Sequence, residues 1–251
     1  MKIKEFGESD NEKILILHGG GLSWWSLEPI IRILSKDFHV ITPVIDGHGE
    51  DGETTFISIS NVSEKIISYI DENCNSSVKA ICGLSIGAQI VVDILSKRYD
   101  IARFSIIESA LVEPIKFLKL LFLPMITISY PLIKYKWYSK LQSKVLFVPN
   151  ENLNKYYEDS CKISKESLIN MTLSNGSFKL DPNISNTKTK VLILVGEKEI
   201  KIMKQSAIDL HKKIKGSELV IVPKSGHGEI SLLRPSEYCN YFFKLLGYKT
   251  V

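Results

Sequence analysis

Cysteine is scarce and dispersed in this chain. Cys74, Cys82, Cys161 and Cys239 are its only four in 251 residues, and no two form a C-x-x-C pair. That spacing argues against a zinc site, and the number is too small for a disulfide framework at this length. Blocks of like charge are missing as well. The net charge of +4 comes from scattered lysines, with no Lys/Arg block and no interleaving of basic and aromatic residues, so nucleic-acid binding is not indicated. A long uninterrupted apolar run is also absent. The nearest is Phe117–Ile133, FLKLLFLPMITISYPLI, interrupted by Lys119 and broken by Pro124 and Pro131. It falls short of a span of ~20 residues and reads as helices packed over an apolar site, with peripheral membrane contact as the alternative. The opening MKIKEFGESDNEK carries no apolar secretory core, so the expected setting is the reducing cytoplasm.

What is present is an alternation of two patterns. Short, β-branched apolar runs at Lys13–Leu17, His39–Val44, Val78–Cys82, Phe104–Ile107, Val191–Val195 and Leu219–Val222 read as strands. Their continuous rather than alternating hydrophobicity predicts strands covered on both faces, as in a parallel sheet. Between them, Ser26–Ser35, Ser60–Glu72, Ala88–Arg98, Lys204–Ile214 and Pro235–Leu246 repeat apolar residues at helical spacing. The expected fold is therefore α/β, with a mostly parallel central sheet and helices on both faces. The rhythm breaks between about Leu111 and Ser185. That stretch is too apolar for disorder and predicts a helical insertion. The expected organisation is a core of residues 1–111 and 187–251 with a helical cap over 112–186.

The sharpest chemical signal is Gly83-Leu84-Ser85-Ile86-Gly87, placed between the strand VKAIC and the helix AQIVVDILSKR. A G-x-S-x-G run at a strand–turn–helix junction forces the serine into a tight turn and lifts its hydroxyl above the sheet. The following helix N-terminus favours negative charge developing there. A serine hydroxyl needs a base. Of the five histidines, His227 in SGHGE lies in a flexible loop after the last apolar strand, where it can reach back over the sheet. His39 and His211 read as surface or structural residues, His48 as a loop hydrogen bonder, and His18 as a residue that orders the glycine loop. An acid to orient the histidine is offered by Gly196-Glu197-Lys198-Glu199, a turn at a strand's C-terminal end. By position in the turn, either glutamate serves.

HGGG after an early strand, DGHG after the next, GLSIG, VGEKE and SGHGE come in one order along nearly the whole chain. With these motifs the chain resembles the α/β-hydrolase superfamily. The resemblance implies an acid three residues after the glycine ending its strand, which is Glu199, here a glutamate where aspartate is commoner. Glu197 becomes a solvated neighbour. Glu108 is a further candidate, because some members take the acid from the earlier strand. The resemblance also implies an oxyanion hole from the backbone N–H groups of Gly20 and Ile86. Trp24 and Trp25 then fall at the site's edge or under the following helix, with a core role expected for at least one.

The resulting expectation is a serine hydrolase that cleaves an ester-like bond of a small, fairly apolar substrate through an acyl-enzyme on Ser85, in the manner of a carboxylesterase or monoacylglycerol lipase. It implies no metal and no organic cofactor. Thioesterase, carbon–carbon bond hydrolase and aminopeptidase chemistry on the same residues stay open. So do a slow-turnover ligand-binding member of the fold and a catalytically dead scaffold, though an intact Ser85, histidine and acid argue against the last.

Overall fold

In a computed structural model that describes residues 1–248, the apolar runs assemble into one seven-stranded sheet. Its strands are β1 (Lys2–Phe6), β2 (Lys13–Leu17), β3 (His39–Val44), β4 (Val78–Leu84), β5 (Ala102–Glu108), β6 (Lys190–Gly196) and β7 (Glu218–Val222). The spatial order is β1-β3-β2-β4-β5-β6-β7. All neighbours run parallel except β1, which pairs antiparallel with β3. The expected parallel sheet is present, with one strand more than the apolar pattern announces. β1 is KIKEF, too polar to read as a buried strand. It lies on the sheet's edge, where only partial burial is required.

Successive residues of the central strands point to opposite faces, and both faces are covered. Leu15, Leu17, Ile81 and Ile193 pack with α2 (Ile59–Asn73), α3 (Ile86–Lys97) and α8 (Lys201–Lys213). Ile14, Ile16, Cys82 and Leu192 pack with α1 (Glu28–Leu34) and α10 (Pro235–Leu246). Two-sided burial is why these strands carry no polar alternation. α3 runs so close over β2 that a Cβ on Gly87 would sit 2.5 Å from the His18 carbonyl oxygen. Only glycine permits that approach.

Between β5 and β6 the chain leaves the sheet and forms α4 (Leu118–Ser129), α5 (Lys136–Val145), α6 (Leu153–Lys162) and α7 (Lys165–Ser177). α4 packs on α7, and α5 on α6. Two of these helices are fastened to the core by polar contacts. From α7, Ser167 Oγ accepts from Phe56 N–H (3.0 Å), Asn170 Nδ2 donates to Phe56 O (3.0 Å) and Ser174 Oγ accepts from Ile59 N–H (3.0 Å). From α6, Asp159 Oδ2 accepts from Trp25 Nε1 at 2.9 Å. Among the described residues, the side-chain hydrogen bonds of α4 and α5 stay within the insertion.

Of the stretch Phe117–Ile133, expected to pack over an apolar site, Ile133 lines a largely apolar cavity, and the rest departs from the expectation. Its helix α4 does not lie over an apolar site: it packs on α7 and leaves Phe117, Leu120, Met125 and Ile128 exposed. No described helix is by itself long and apolar enough to cross a membrane. Residues 249–251 of the expected core range lie outside the described residues.

Candidate active site

The strand order reverses between β2 and β4, which are adjacent, and their carboxyl ends open into one crevice. Open α/β sheets place functional groups at such a reversal. The glycine loop leaves β2 there, and Ser85 leaves β4. Ser85 has φ 55° and ψ −116°, a conformation L-residues rarely adopt. Holding it costs about 1–3 kcal/mol, and the turn into α3 imposes it.

His227 lies in the loop between β7 and a short helix, α9 (Glu229–Leu233). Its Nε2 accepts from Ser85 Oγ at 2.9 Å, and its Nδ1 donates to Glu199 Oε2 at 2.8 Å. One imidazole tautomer, protonated on Nδ1, satisfies both bonds. The other carboxylate oxygen, Glu199 Oε1, accepts from Gly196 N–H (2.8 Å) and Ser109 Oγ (2.7 Å). Burial works to raise the Glu199 pKa. The His227 hydrogen bond and charge, with the Gly196 and Ser109 donors, outweigh it and hold the carboxyl below its ordinary value. Glu199 is therefore an anion at neutral pH.

The three glutamates raised by the sequence occupy different environments. Glu197 faces away, its Oε2 accepting from Lys224 N–H at 2.7 Å. Glu108 is buried behind the site, with Oε1 3.4 Å from Ser231 N–H and Oε2 without a partner. Burial pushes its pKa from 4.5 up to about 7. A carboxyl protonated in the fold but ionised when unfolded stabilises fully below about 4.5, and that contribution is lost as pH rises through about 7. Glu108→Gln is expected to match wild type in Tm near about pH 5 and to exceed it by several degrees near about pH 8. Thermal denaturation at the two pH values checks this; a variant that loses as much stability as wild type on going alkaline contradicts it.

The remaining histidines have structural places. His18 Nδ1 donates to Gly19 O (2.9 Å) while its Nε2 accepts from Ile45 N–H (3.1 Å), tying the loops after β2 and β3 together. Burial, and then the neighbouring His48, push its pKa down to about 3, so it stays neutral. His48 Nδ1 donates to Asp46 O at 3.0 Å. His39 meets Glu5 at 2.9 Å, and His211 meets Ser217 at 2.9 Å.

Gly20 and Ile86, the two residues expected to supply oxyanion N–H groups, both lie close to Ser85. Gly20 lines a cavity of about 40 Å³ together with Ser85 and His227, and Ile86 is the first residue of α3. Among the described residues neither N–H has a hydrogen-bond partner within the chain. The glycines of the triplet differ in kind. Only Gly21 adopts a positive φ, of 72°; a Cβ on Gly20 would meet Met171 Sδ at 3.4 Å and project into the cavity. The small cavity adjoins a larger one of about 170 Å³, lined in part by Leu22, Ile133, Leu146, Ile163, Leu168 and Met171, with His48 and Asp159 among its polar members. Neither tryptophan lines either space. Trp25 is buried against Leu22 and Tyr156, and Trp24 has Lys155 Nζ 4.5 Å from its ring centre. Both grip α6, a role the sequence does not announce because the partners are about 130 residues away. Among the described residues no cluster of three or more His, Cys, Asp or Glu side chains is arranged to hold a metal ion.

A family model described as "Alpha/beta hydrolase family" matches residues 14–240. No curated protein matches the chain. Among solved structures, a carboxylesterase of the ammonia-oxidizing thaumarchaeon Nitrososphaera gargenis superposes with a TM-score of 0.80 at 16% identity, covering 98% of this chain and 93% of the other. The enol-lactonase of Burkholderia xenovorans LB400 gives 0.79 at 15% identity, with 98% and 96% covered. A thermophilic esterase of Thermogutta terrifontis gives 0.76 at 15%, with 97% and 93% covered. At these identities the likeness is one of fold.

Proposed function

The chain belongs to the alpha/beta hydrolase family, and from that premise we propose that it is a serine hydrolase cleaving an ester-like bond through an acyl-enzyme on Ser85. The observation that carries the reading is the unbroken hydrogen-bond chain from Ser85 Oγ through His227 to the Glu199 carboxylate. In this mechanism Ser85 Oγ attacks the substrate carbonyl as its proton passes to His227 Nε2. Glu199, ionised and fixed by two further donors, stabilises the imidazolium. The Gly20 and Ile86 N–H groups hold the oxyanion, and each such donor is worth about 10²–10³ in rate. Collapse breaks the ester bond, and the leaving alcohol takes the proton from His227. Water then attacks the acyl-enzyme with the same imidazole as base, releasing the acid.

Residues 112–186 act in this reading as the cap that shapes the acyl site. The cavity beneath them, about 170 Å³, is close to the ~150 Å³ that encloses a benzene-sized molecule. It suits a short, largely apolar acyl group. The expected result is labelling of Ser85 by a fluorophosphonate, and hydrolysis of p-nitrophenyl esters that is fastest for short acyl chains and falls for long ones. A protein that resists the probe and hydrolyses no ester, thioester or amide refutes the proposal.

A further inference from the structure

α5 is amphipathic in the reverse of the usual sense. Its buried side is made of Ser139 and Ser143, 1% and 5% exposed, whereas Trp137, Leu141 and Val145 stand 59%, 57% and 74% exposed. The three apolar residues recur every four positions and so form one stripe along the helix. Lys136, Lys140 and Lys144, all exposed, repeat with the same spacing and form a second stripe directly beside it. The preceding helix adds exposed Phe117, Leu120 and Ile128, together with exposed Lys116 and Lys119. Exposed apolar surface on this scale marks a place of interaction.

Charge identifies the partner. From residue 114 to residue 150 the chain has six lysines and no aspartate or glutamate. Those six charges exceed the net +4 of the whole chain, so everything outside this stretch is net −2. Among the described residues none of the six forms an ion pair; Lys136 lies over the Tyr157 ring at 5.5 Å. Aromatic and aliphatic side chains beside lysines whose alkyl stems reach along them suit the boundary between acyl chains and anionic headgroups. The stretches Leu118–Lys134 and Lys136–Val145 meet at 119°, and neither is by itself long and apolar enough to cross a membrane. The stripe also leads to the chemistry, because Val145 at its end lines the cavity holding Ser85 and His227.

We propose that the outward face of α5, extended by α4, docks on the surface of an anionic lipid bilayer and turns the mouth of the Ser85 site toward it. The use of that orientation, entry of an ester dissolved in the bilayer, rests on the hydrolase reading; the docking itself does not. Co-sedimentation with vesicles of phosphatidylcholine alone, and of phosphatidylcholine mixed with phosphatidylglycerol, reads it without any turnover. Wild type is expected to pellet with the mixed vesicles and far less with the neutral ones. The triple variant Lys136→Gln, Lys140→Gln, Lys144→Gln is expected to weaken partitioning about a hundredfold, roughly fivefold per lysine. The double variant Trp137→Ser, Leu141→Ser is expected to weaken it at least about tenfold by removing inserted apolar area. Both variants are expected to keep wild-type kcat on a soluble short-chain ester, which shows that they fold. Wild type that stays in the supernatant with anionic vesicles overturns the docking, as does binding that survives both sets of changes. A chain that dimerises through this face in sedimentation velocity, with monomeric variants and no vesicle binding, assigns the surface to a second copy instead. Vesicle binding without soluble-ester hydrolysis leaves the docking standing and rejects only the hydrolase reading.

Discussion

Replacing Ser85 by alanine is expected to lower kcat on short p-nitrophenyl esters by about 10⁴- to 10⁶-fold and to abolish fluorophosphonate labelling. The loss follows from removing the hydroxyl that stands 2.9 Å from His227 Nε2, while the cavity and the Gly20 and Ile86 N–H groups are left in place. KM should therefore move far less than kcat. The same position makes a stability prediction. Alanine keeps the Cβ that strains a residue at φ 55°, whereas glycine has none. Ser85→Gly is expected to be more stable than Ser85→Ala by about 1 kcal/mol, measured by denaturant titration. A Ser85→Ala protein that retains a tenth of wild-type kcat removes Ser85 from the chemistry.

Glu199→Gln is expected to cost about 10⁴-fold in kcat, with Glu197→Gln and Glu108→Gln each within about threefold of wild type. The glutamine is isosteric but uncharged, so imidazolium formation at His227 loses its counter-charge. It also presents an amide that competes for the wrong tautomer. Glu197 is spared because its carboxylate serves the loop at Lys224, 2.7 Å from that N–H. Glu108 is spared because its bond goes to Ser231 N–H, at 3.4 Å, rather than to the imidazole. Equal losses at Glu199 and Glu108 would place the charge on a pair, and loss at Glu108 alone would move the acid to the end of β5.

The strands were legible wherever both faces are buried, because then hydrophobicity has nothing to alternate with. KILIL and HVITPV match their observed limits for this reason. KEF-type polarity hid β1, since an edge strand draws its support from backbone pairing with β3 rather than from its side chains. The short helix α9 escaped notice because five residues hold too little periodicity to register. Within the site, the serine and the histidine each come with glycines that mark their turns. The acid's turn has its glycine too, Gly196, but VGEKE offers two glutamates with equal local credentials, and they differ only in which residue of the loop after β7 each reaches, Lys224 for Glu197 and His227 for Glu199. The same limit applied to the tryptophans, whose partners Lys155 and Asp159 belong to a helix more than a hundred residues on. The outward turn of α4 and α5 was illegible for another reason. An apolar run states that it avoids water, and does not state which surface will relieve it.

The uneven fastening of the helices between β5 and β6 sets where the molecule is cheapest to deform. α7 is held to Phe56 and to Ile59, the first residue of α2, by three hydrogen bonds and α6 to the segment after the glycine loop by Trp25, so displacing either one exposes polar groups that must find water again. α4 and α5 carry no such penalty among their described side chains. Breathing of the structure is thus asymmetric, and its soft side is the side that carries the lysines and the exposed tryptophan. Ser85, Glu199 and His227 follow β4, β6 and β7, and direct ladders join β4 to β5, β5 to β6 and β6 to β7 beneath the insertion. The soft half can yield to a guest while Ser85, His227 and Glu199 keep their places.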